Sequence, residues 1–454
     1  MLLSRTHYSL LTAPSSPQAL CEEAVRLGLK HLVLHDTNGL YGLYPFARAA
    51  RRVGLKAVFG AELVHRGRRL SVLAQDDQGY ASLCGLLSRF HGVGLGQQDL
   101  EVAPSIDLSR ACERFADGLW FVCGDPRLLP ELSVRVPRER LLVGLPPRGA
   151  GCVDRSAGNA SLASSRKLPD PGPAWPRPML RQLAGDLGLQ LCAVRDVWFA
   201  TPEDHTLHQL FLAVKWNRSL RSLVGGGGDL RHDLRGVGVA AAGMHLPTPE
   251  QLRSGHEDAP EAVAVAEQVL GRCELTFGER AAPIFPPVAL GHGETAEGAL
   301  RALVGGGLRR RYSGDDAFDE AQARCERELA VIERMGFAPY FLAVHQIVDL
   351  ARARDIPFVG RGSAADSLVA HCLGLTDADP LRYGLLFERF LNPQRSDLPD
   401  IDLDFCWRRR DELIDAVYDH FGRDHVAMIA TYNTCGPRAA YQEAAKVMGL
   451  SPRE

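Results

Sequence analysis

The chain has 454 residues, 46% of them hydrophobic, with 52 Lys and Arg against 55 Asp and Glu and a formal net charge of -3. That length suits two or three domains with packed cores, and the composition excludes a disordered chain. The near-neutral balance supplies no global basic field, so a nucleic-acid partner would have to be gripped by local arginine clusters.

The opening Met-Leu-Leu-Ser-Arg turns polar too soon for a signal peptide, and no apolar run is long enough to span a bilayer. The 11 cysteines, Cys21 to Cys435, are scattered without a CxxC pair, which argues against a disulfide framework or a zinc ribbon and for a reducing compartment. The expectation is a soluble cytoplasmic protein.

From residue 1 to about 200, apolar runs alternate with helix-like stretches: His31 to Leu34, Ala57 to Phe59, Leu70 to Ala74, Leu119 to Val122 and Leu191 to Val194. Strands spaced by helices predict an α/β domain with a largely parallel sheet. Between about 146 and 178 the composition shifts to Gly, Ser, Pro and Ala, a surface excursion rather than a core element. Gly225 to Gly228 lies in a weakly helical region, and Pro283 to Pro287 reads as a boundary. The predicted organisation is an α/β domain over 1–201, a helical connector over 202–280 and a last domain over 281–454. In that last part Leu329, Ile332 and Met335, then Phe341, Val344, Val348 and Ala351, recur at helical spacing around Gly336 and Pro339, predicting two amphipathic helices.

Phe358-Val359-Gly360-Arg361-Gly362-Ser363 follows. Ala365, Leu368, Val369, Cys372 and Leu373 fall on one helical face, and Ser363 with Asp366 resembles a capping box, so residues 360–363 read as a turn into a helix N-terminus. Such an end offers N–H groups to an anion, with Arg361 beside it. It is not a Walker A loop, because no Gly-Lys-Ser/Thr follows, and a well-capped helix start is the plain alternative. Arg389 and Arg395, further along, are cations that could meet a triphosphate.

Pro399-Asp400-Ile401-Asp402-Leu403-Asp404-Phe405 alternates as a strand with Asp400, Asp402 and Asp404 on one face. Aspartate is depleted from strands, and adjacent carboxylates repel, so something cationic should sit there. A divalent metal pair meets that demand, whereas a calcium loop would need Gly where Phe405 stands. The alternative is an exposed acidic edge strand, solvated or paired by Arg408 to Arg410.

The run GFAPYFLAVHQIVDLARARDIPFVGRGSAADSLVAHCLGLTDADPLRYGLLFERFLNPQRSDLPDIDLDF resembles the start of the palm of C-family bacterial DNA polymerases, the class of the DNA polymerase III alpha subunit and the error-prone enzymes. The tail GRDHVAMIATYNTCGPRAAYQEAAKVMGL is similar to the family's continuation beyond that strand. The resemblance implies template-directed DNA synthesis from deoxynucleoside triphosphates. Asp402 and Asp404 would be two of three catalytic aspartates holding Mg2+, and Gly362 and Ser363 would belong to the loop that holds the triphosphate, to which Arg361, Arg389 and Arg395, read from the sequence alone, would add positive charge. The third aspartate, the fingers and later domains would lie beyond Glu454. The expectation is therefore a split or truncated product, not competent alone, with a downstream-encoded polymerase half or other replication and repair subunits as candidate partners.

Residues 1 to about 200 resemble a degraded copy of the family's PHP domain, a metal-dependent phosphoesterase module built as a distorted (β/α) barrel. Leu3 and Arg5 stand at the positions of its His-x-His pair, Thr12 replaces an aspartate, Thr37 and Trp198 replace histidines, and Arg69 stands where another histidine is expected. Asp36, Glu62 and Asp196 match its remaining ligands. Arg5 and Arg69 put fixed positive charge where cations should bind and are candidates to pair with Glu62 and Asp196. The degraded site leans towards the error-prone, translesion branch. Two rival readings are a non-enzymatic scaffold that binds nucleotide or DNA and a stand-alone PHP phosphoesterase, the latter opposed by Leu3, Arg5, Thr37 and Trp198.

Overall fold

The computed structural model describes residues 1–91, 107–148, 175–224, 240, 242–276, 284–286, 288, 290–394, 399–422, 425–429 and 431–450. Two compact units emerge, 1–279 with 432–454, and 280–431. The glycine run at 225–228 and most of the excursion expected over 146–178 lie outside the described residues.

Among the described residues of the first unit, eight strands form one sheet: β1 Leu2–Ser4, β2 His31–Thr37, β3 Lys56–His65, β4 Arg68–Ala74, β5 Leu119–Cys123, β6 Leu141–Leu145, β7 Gln190–Ala193 and β8 Arg195–Val197. Their order is β7-β6-β5-β4-β3-β2-β1-β8, with β4 antiparallel to both neighbours and the other pairings parallel. The two edge strands are separated in sequence by Val194 alone, so the chain steps from one edge of the sheet to the other. Val194 N–H donates to the Leu145 carbonyl and Arg195 N–H to that of Met1, which brings the sheet round into a nearly closed barrel. The largely parallel α/β sheet is the one expected from the spacing of the apolar runs, and its near-closure is the distorted barrel that the PHP resemblance implies.

Local chemistry explains the antiparallel part. Arg66 and Gly67, between β3 and β4, both have positive φ, 50° and 71°, as a two-residue type I′ hairpin turn requires. Val33, Val58, Leu63, Leu70, Val72, Phe121, Leu142 and Val143, drawn from both faces of the sheet, belong to one buried apolar cluster. Outside it, helices Pro17–Arg26 and Leu43–Val53 bury Leu20, Ala24, Phe46 and Ala50 against Leu32, Leu34 and Phe59. Ser16 caps the first of these helices by accepting from Ala19 N–H, and Pro17 follows in its first turn. Strands β1 and β8 escape sequence reading because three residues are too few to display a period of two. β6 is buried along its whole length, so it shows no alternation, and it abuts Pro146. Residues 432–454 group with this unit, where Tyr432 meets Tyr8 and Tyr41 edge to face at 5.5 and 5.3 Å.

Two buried histidines make this unit sensitive to acid. His208 Nε2 accepts from Ala240 N–H at 3.0 Å and Nδ1 faces the Thr12 carbonyl, which fixes the neutral tautomer with its proton on Nδ1. Neither ring nitrogen of His35 has a hydrogen-bond partner among the described residues. Burial pushes both imidazoles down to about 4. Their unfolded pKa is about 6.5, so the stability tied to their neutral forms is complete above that pH and is lost as pH falls towards 4. Urea midpoints should therefore drop from pH 6.5 to 4, each histidine accounting for on the order of 3 kcal/mol. Part of the loss is offset by the buried Asp36, whose carboxyl is pushed up to about 6 and is favoured by protonation in the same window. His208→Gln should make that dependence shallower; midpoints flat over this range would contradict it.

The second unit is built on helices Ala296–Tyr312, Phe318–Arg334 and Ala338–Arg352, the last two being the predicted amphipathic pair, separated by Gly336 at φ 74°. Leu300, Val304, Leu308, Leu329, Ile332, Phe341 and Val348 form its core with the short buried helix Leu368–Leu373. Gly307 lies so close to the Cys372 carbonyl that a side chain would collide with backbone there. A two-stranded ribbon, β9 Phe358–Arg361 with β10 Asp402–Phe405, lies in this unit. Among the described residues of the chain, no helix is long and apolar enough to cross a membrane.

Candidate functional site

β9 and β10 are antiparallel, with Asp402 opposite Arg361, Leu403 opposite Gly360 and Asp404 opposite Val359. Ile401 and Leu403 pack against the helical core, which leaves Asp402 and Asp404 together on the other face. Asp400 is not part of this strand; its neighbour Ile401 donates its N–H to the Tyr340 hydroxyl at 3.0 Å just before the ladder begins. The cation that the acidic face demands is Arg361, with Nη1 3.2 Å from Asp402 Oδ2 and Nε 2.9 Å from Asp404 Oδ2. Arg409, by contrast, is paired with Glu412, and Arg410 with Asp411. All three members of the Arg361 cluster are well exposed, their side chains retaining 58%, 41% and 62% of their accessible surface for Arg361, Asp402 and Asp404.

The adjoining turn differs from the expected helix start. Gly362–Asp366 is a 3-10 turn, and the α-helix begins only at Leu368, capped by Ser367, whose side chain accepts from Ala370 N–H. Ser363 therefore lies inside the turn and is not the cap. Gly362 is required twice over: its φ is 72°, and a Cβ there would stand 3.0 Å from Asp402 Oδ2. Arg389 approaches the buried Asp366 carboxylate at 3.8 Å, and Arg395 lies outside the described residues.

Behind the turn is a buried ion pair that sequence reasoning missed. Glu328 accepts from Ser367 Oγ at 2.9 Å and Val369 N–H at 3.0 Å, and Arg324 Nε binds its other oxygen at 2.9 Å. Arg324 Nη2 also donates to the carbonyls of Asp366 and Leu385, both at 2.9 Å, so the pair fixes the end of the turn. The available signal was a charged residue, Glu328, on the apolar face that Cys325, Leu329 and Ile332 define.

In the first unit, the positions aligned with PHP ligands form a cluster of charge pairs. Arg5, fully buried, reaches Glu62 through Nη2 at 2.8 Å and Nε at 3.1 Å, and Asp196 through Nη1 at 3.1 Å. It also stacks on Trp198, 4.3 Å from the ring centroid. Arg69 binds Glu62 through Nε at 2.6 Å and stands 3.8 Å from Asp196. Burial alone would raise the Glu62 carboxyl, but Arg5 and Arg69 hold it well below the usual range. Asp36 is turned to a separate network, accepting from Thr6 N–H and Oγ1, both at 2.7 Å, and from Ser9 Oγ at 2.8 Å. Burial pushes Asp36 up to about 6 against these donors. With two guanidiniums on Glu62 and Asp196, this donor set does not fit a cluster of cations. Among the described residues, no three His, Cys, Asp or Glu side chains converge as a metal site.

Comparison with known proteins gives these features their class. Residues 2–127 match the PHP domain family, and residues 298–454 match the family described as the bacterial DNA polymerase III alpha NTPase domain. The two matches follow one another in chain order, the PHP family first and the polymerase family second, and the chain is similar along nearly its whole length to proteins named as error-prone DNA polymerases and DNA polymerase III alpha subunits. It is 34% identical to the error-prone DNA polymerase of Mycobacterium bovis over 99% of its own length and 41% of the relative's. The error-prone DNA polymerase of Symbiobacterium thermophilum is also 34% identical, over 98% of this chain and 40% of that one. The DNA polymerase III subunit alpha of Treponema pallidum is 32% identical, over 98% and 38%. The chain thus spans about two fifths of the length of these relatives.

Proposed function

We propose that the second unit contributes the metal- and triphosphate-handling part of a template-directed DNA polymerase centre, with primer-template DNA and deoxynucleoside triphosphates as substrates. The carrying observation is the juxtaposition, on one ribbon, of Asp402 and Asp404 with the Gly360 to Ser363 turn. Two exposed carboxylates side by side are hard oxygen donors that fit Mg2+, as part of a ligand set that other groups complete. Bound there, paired Mg2+ ions would supply charge stabilisation to the attacking and leaving oxygens of phosphoryl transfer.

The chain's own groups then have distinct tasks. Asp402 and Asp404 hold the cations, and the backbone of Gly362 and Ser363, freed of a side chain at its tightest point, admits the triphosphate. Arg361, Arg389 and Arg395 meet its negative charge. The buried Arg324–Glu328 pair keeps the turn in place behind them. The arginines that occupy the first unit's ligand positions favour a structural role for it over phosphoester hydrolysis. The error-prone branch is the reading favoured by that altered site.

Primer extension with Mg2+ tests the proposal. Because only two carboxylates stand on the β10 face, the 454-residue polypeptide is expected to give no extension alone. Extension should appear on adding a polypeptide that carries the remaining length of the relatives, and should vanish again with Asp404→Ala. Extension by the lone chain that Asp404→Ala abolishes would overturn the claim that the site needs completing, and a mixture indifferent to Asp404→Ala would overturn the site itself.

A further inference from the structure

We infer that Arg361 is an exchangeable counter-ion: it holds Asp402 and Asp404 together while the cation site is empty, and leaves them for the triphosphate when divalent cations arrive. The inference rests on the proposed metal and triphosphate roles of this ribbon and adds a coupling between them.

The register is what makes one side chain serve two carboxylates. Arg361 is directly opposite Asp402 and diagonal to Asp404, both within reach of a long side chain across an antiparallel pair. Its guanidinium uses different nitrogens for the two, Nη1 for Asp402 and Nε for Asp404. One positive charge thereby offsets two neighbouring negative ones that would otherwise repel.

The same position makes the contact easy to give up. Arg361 keeps 58% of its side-chain surface exposed, and pairs of that kind in water are weak and screened by salt. Its backbone is extended, φ -132° and ψ -177°, and the next residue, Gly362 at φ 72°, opens the turn. Rotation about the Arg361 side-chain bonds alone therefore moves the charge from the aspartates towards the turn, with no rearrangement of the ribbon. A divalent ion bound through the oxygens that Arg361 holds competes with its guanidinium for them, and the two positive charges repel, so each weakens the binding of the other.

Two opposite effects follow. Arg361 competes with a cation in the absence of nucleotide, and its release makes it available to a triphosphate, so cation and triphosphate each strengthen the other's binding through it. That mutual effect must be reciprocal, since it is a single coupling free energy.

The test is calorimetric titration of the full 454-residue chain. Mn2+ is titrated with and without dATP into wild type, Arg361→Ala, Arg361→Lys and Asp402→Asn with Asp404→Asn. Without nucleotide, Arg361→Ala is expected to bind Mn2+ about threefold to tenfold more tightly than wild type at low salt, because two exposed pairs no longer compete. Arg361→Lys, with a single point charge that cannot bridge both carboxylates, should fall between them. With dATP present, the enhancement of Mn2+ binding seen in wild type should shrink in Arg361→Ala. Equal or weaker Mn2+ binding by Arg361→Ala would overturn the exchange, provided the double Asn variant still loses affinity relative to wild type. If the double Asn variant binds Mn2+ as wild type does, the metal site itself is wrong, and the exchange falls with it.

Discussion

Arg5→Met is expected to lower the stability of the first unit by about 3–5 kcal/mol, the cost of leaving a buried charge without its partner. Glu62 and Asp196 would both lose a guanidinium that is fully buried between them, and Arg69 would remain with its side chain only partly enclosed. The loss should be electrostatic rather than steric, because methionine fills much of the same volume. Adding Glu62→Leu to Arg5→Met should therefore recover much of the deficit, since removing both members of a buried pair is often close to neutral. Urea unfolding monitored by tryptophan fluorescence reads this directly, because Arg5 stacks on Trp198. A change under about 1 kcal/mol in the single variant would mean that the cluster is not what holds this end of the barrel together.

The same cluster shows how much of the first unit is legible without coordinates. That arginines stand at Arg5 and Arg69 is plain in the sequence, and so are the acidic Glu62 and Asp196. Their pairing, expected from the positions these residues share with one ligand cluster, is realised by β1, β3, β4 and β8 converging at one end of a curled sheet, which the sequence does not show. β1 and β8 are too short to announce themselves, and the closure between Ala193 and Arg195 is a property of the whole sheet.

In the second unit the alternation from Ile401 to Phe405 is a local signal, and it correctly separates Leu403 from Asp402 and Asp404. Two features were out of reach. Capping competition between Ser363 and Ser367 is settled by Glu328, which sits thirty-nine positions before Ser367 and bonds its hydroxyl. The partner of the acidic face is likewise a matter of register: Arg361, forty-one positions upstream of Asp402, is placed by the antiparallel ladder, whereas the sequence neighbours Arg409 and Arg410 go to Glu412 and Asp411. Local patterning carries element type; long-range pairing carries the site.

The central claim is that Asp402 and Asp404 hold divalent cations. Removing both negative charges while keeping the side-chain shape, with Asp402→Asn and Asp404→Asn, takes away the hard anionic oxygens on which such binding depends. Wild type should bind Mn2+ weakly, since Arg361 competes and only two carboxylates on β10 contribute. The double variant should lose at least about tenfold in affinity. Both exchanges are at exposed positions, so folding should be unaffected, which circular dichroism checks in the same samples. Calorimetric titration of Mn2+ into the two proteins at one salt concentration is the decisive measurement: weaker binding by the double variant is the result this account predicts, and equal affinity in the two proteins would contradict it.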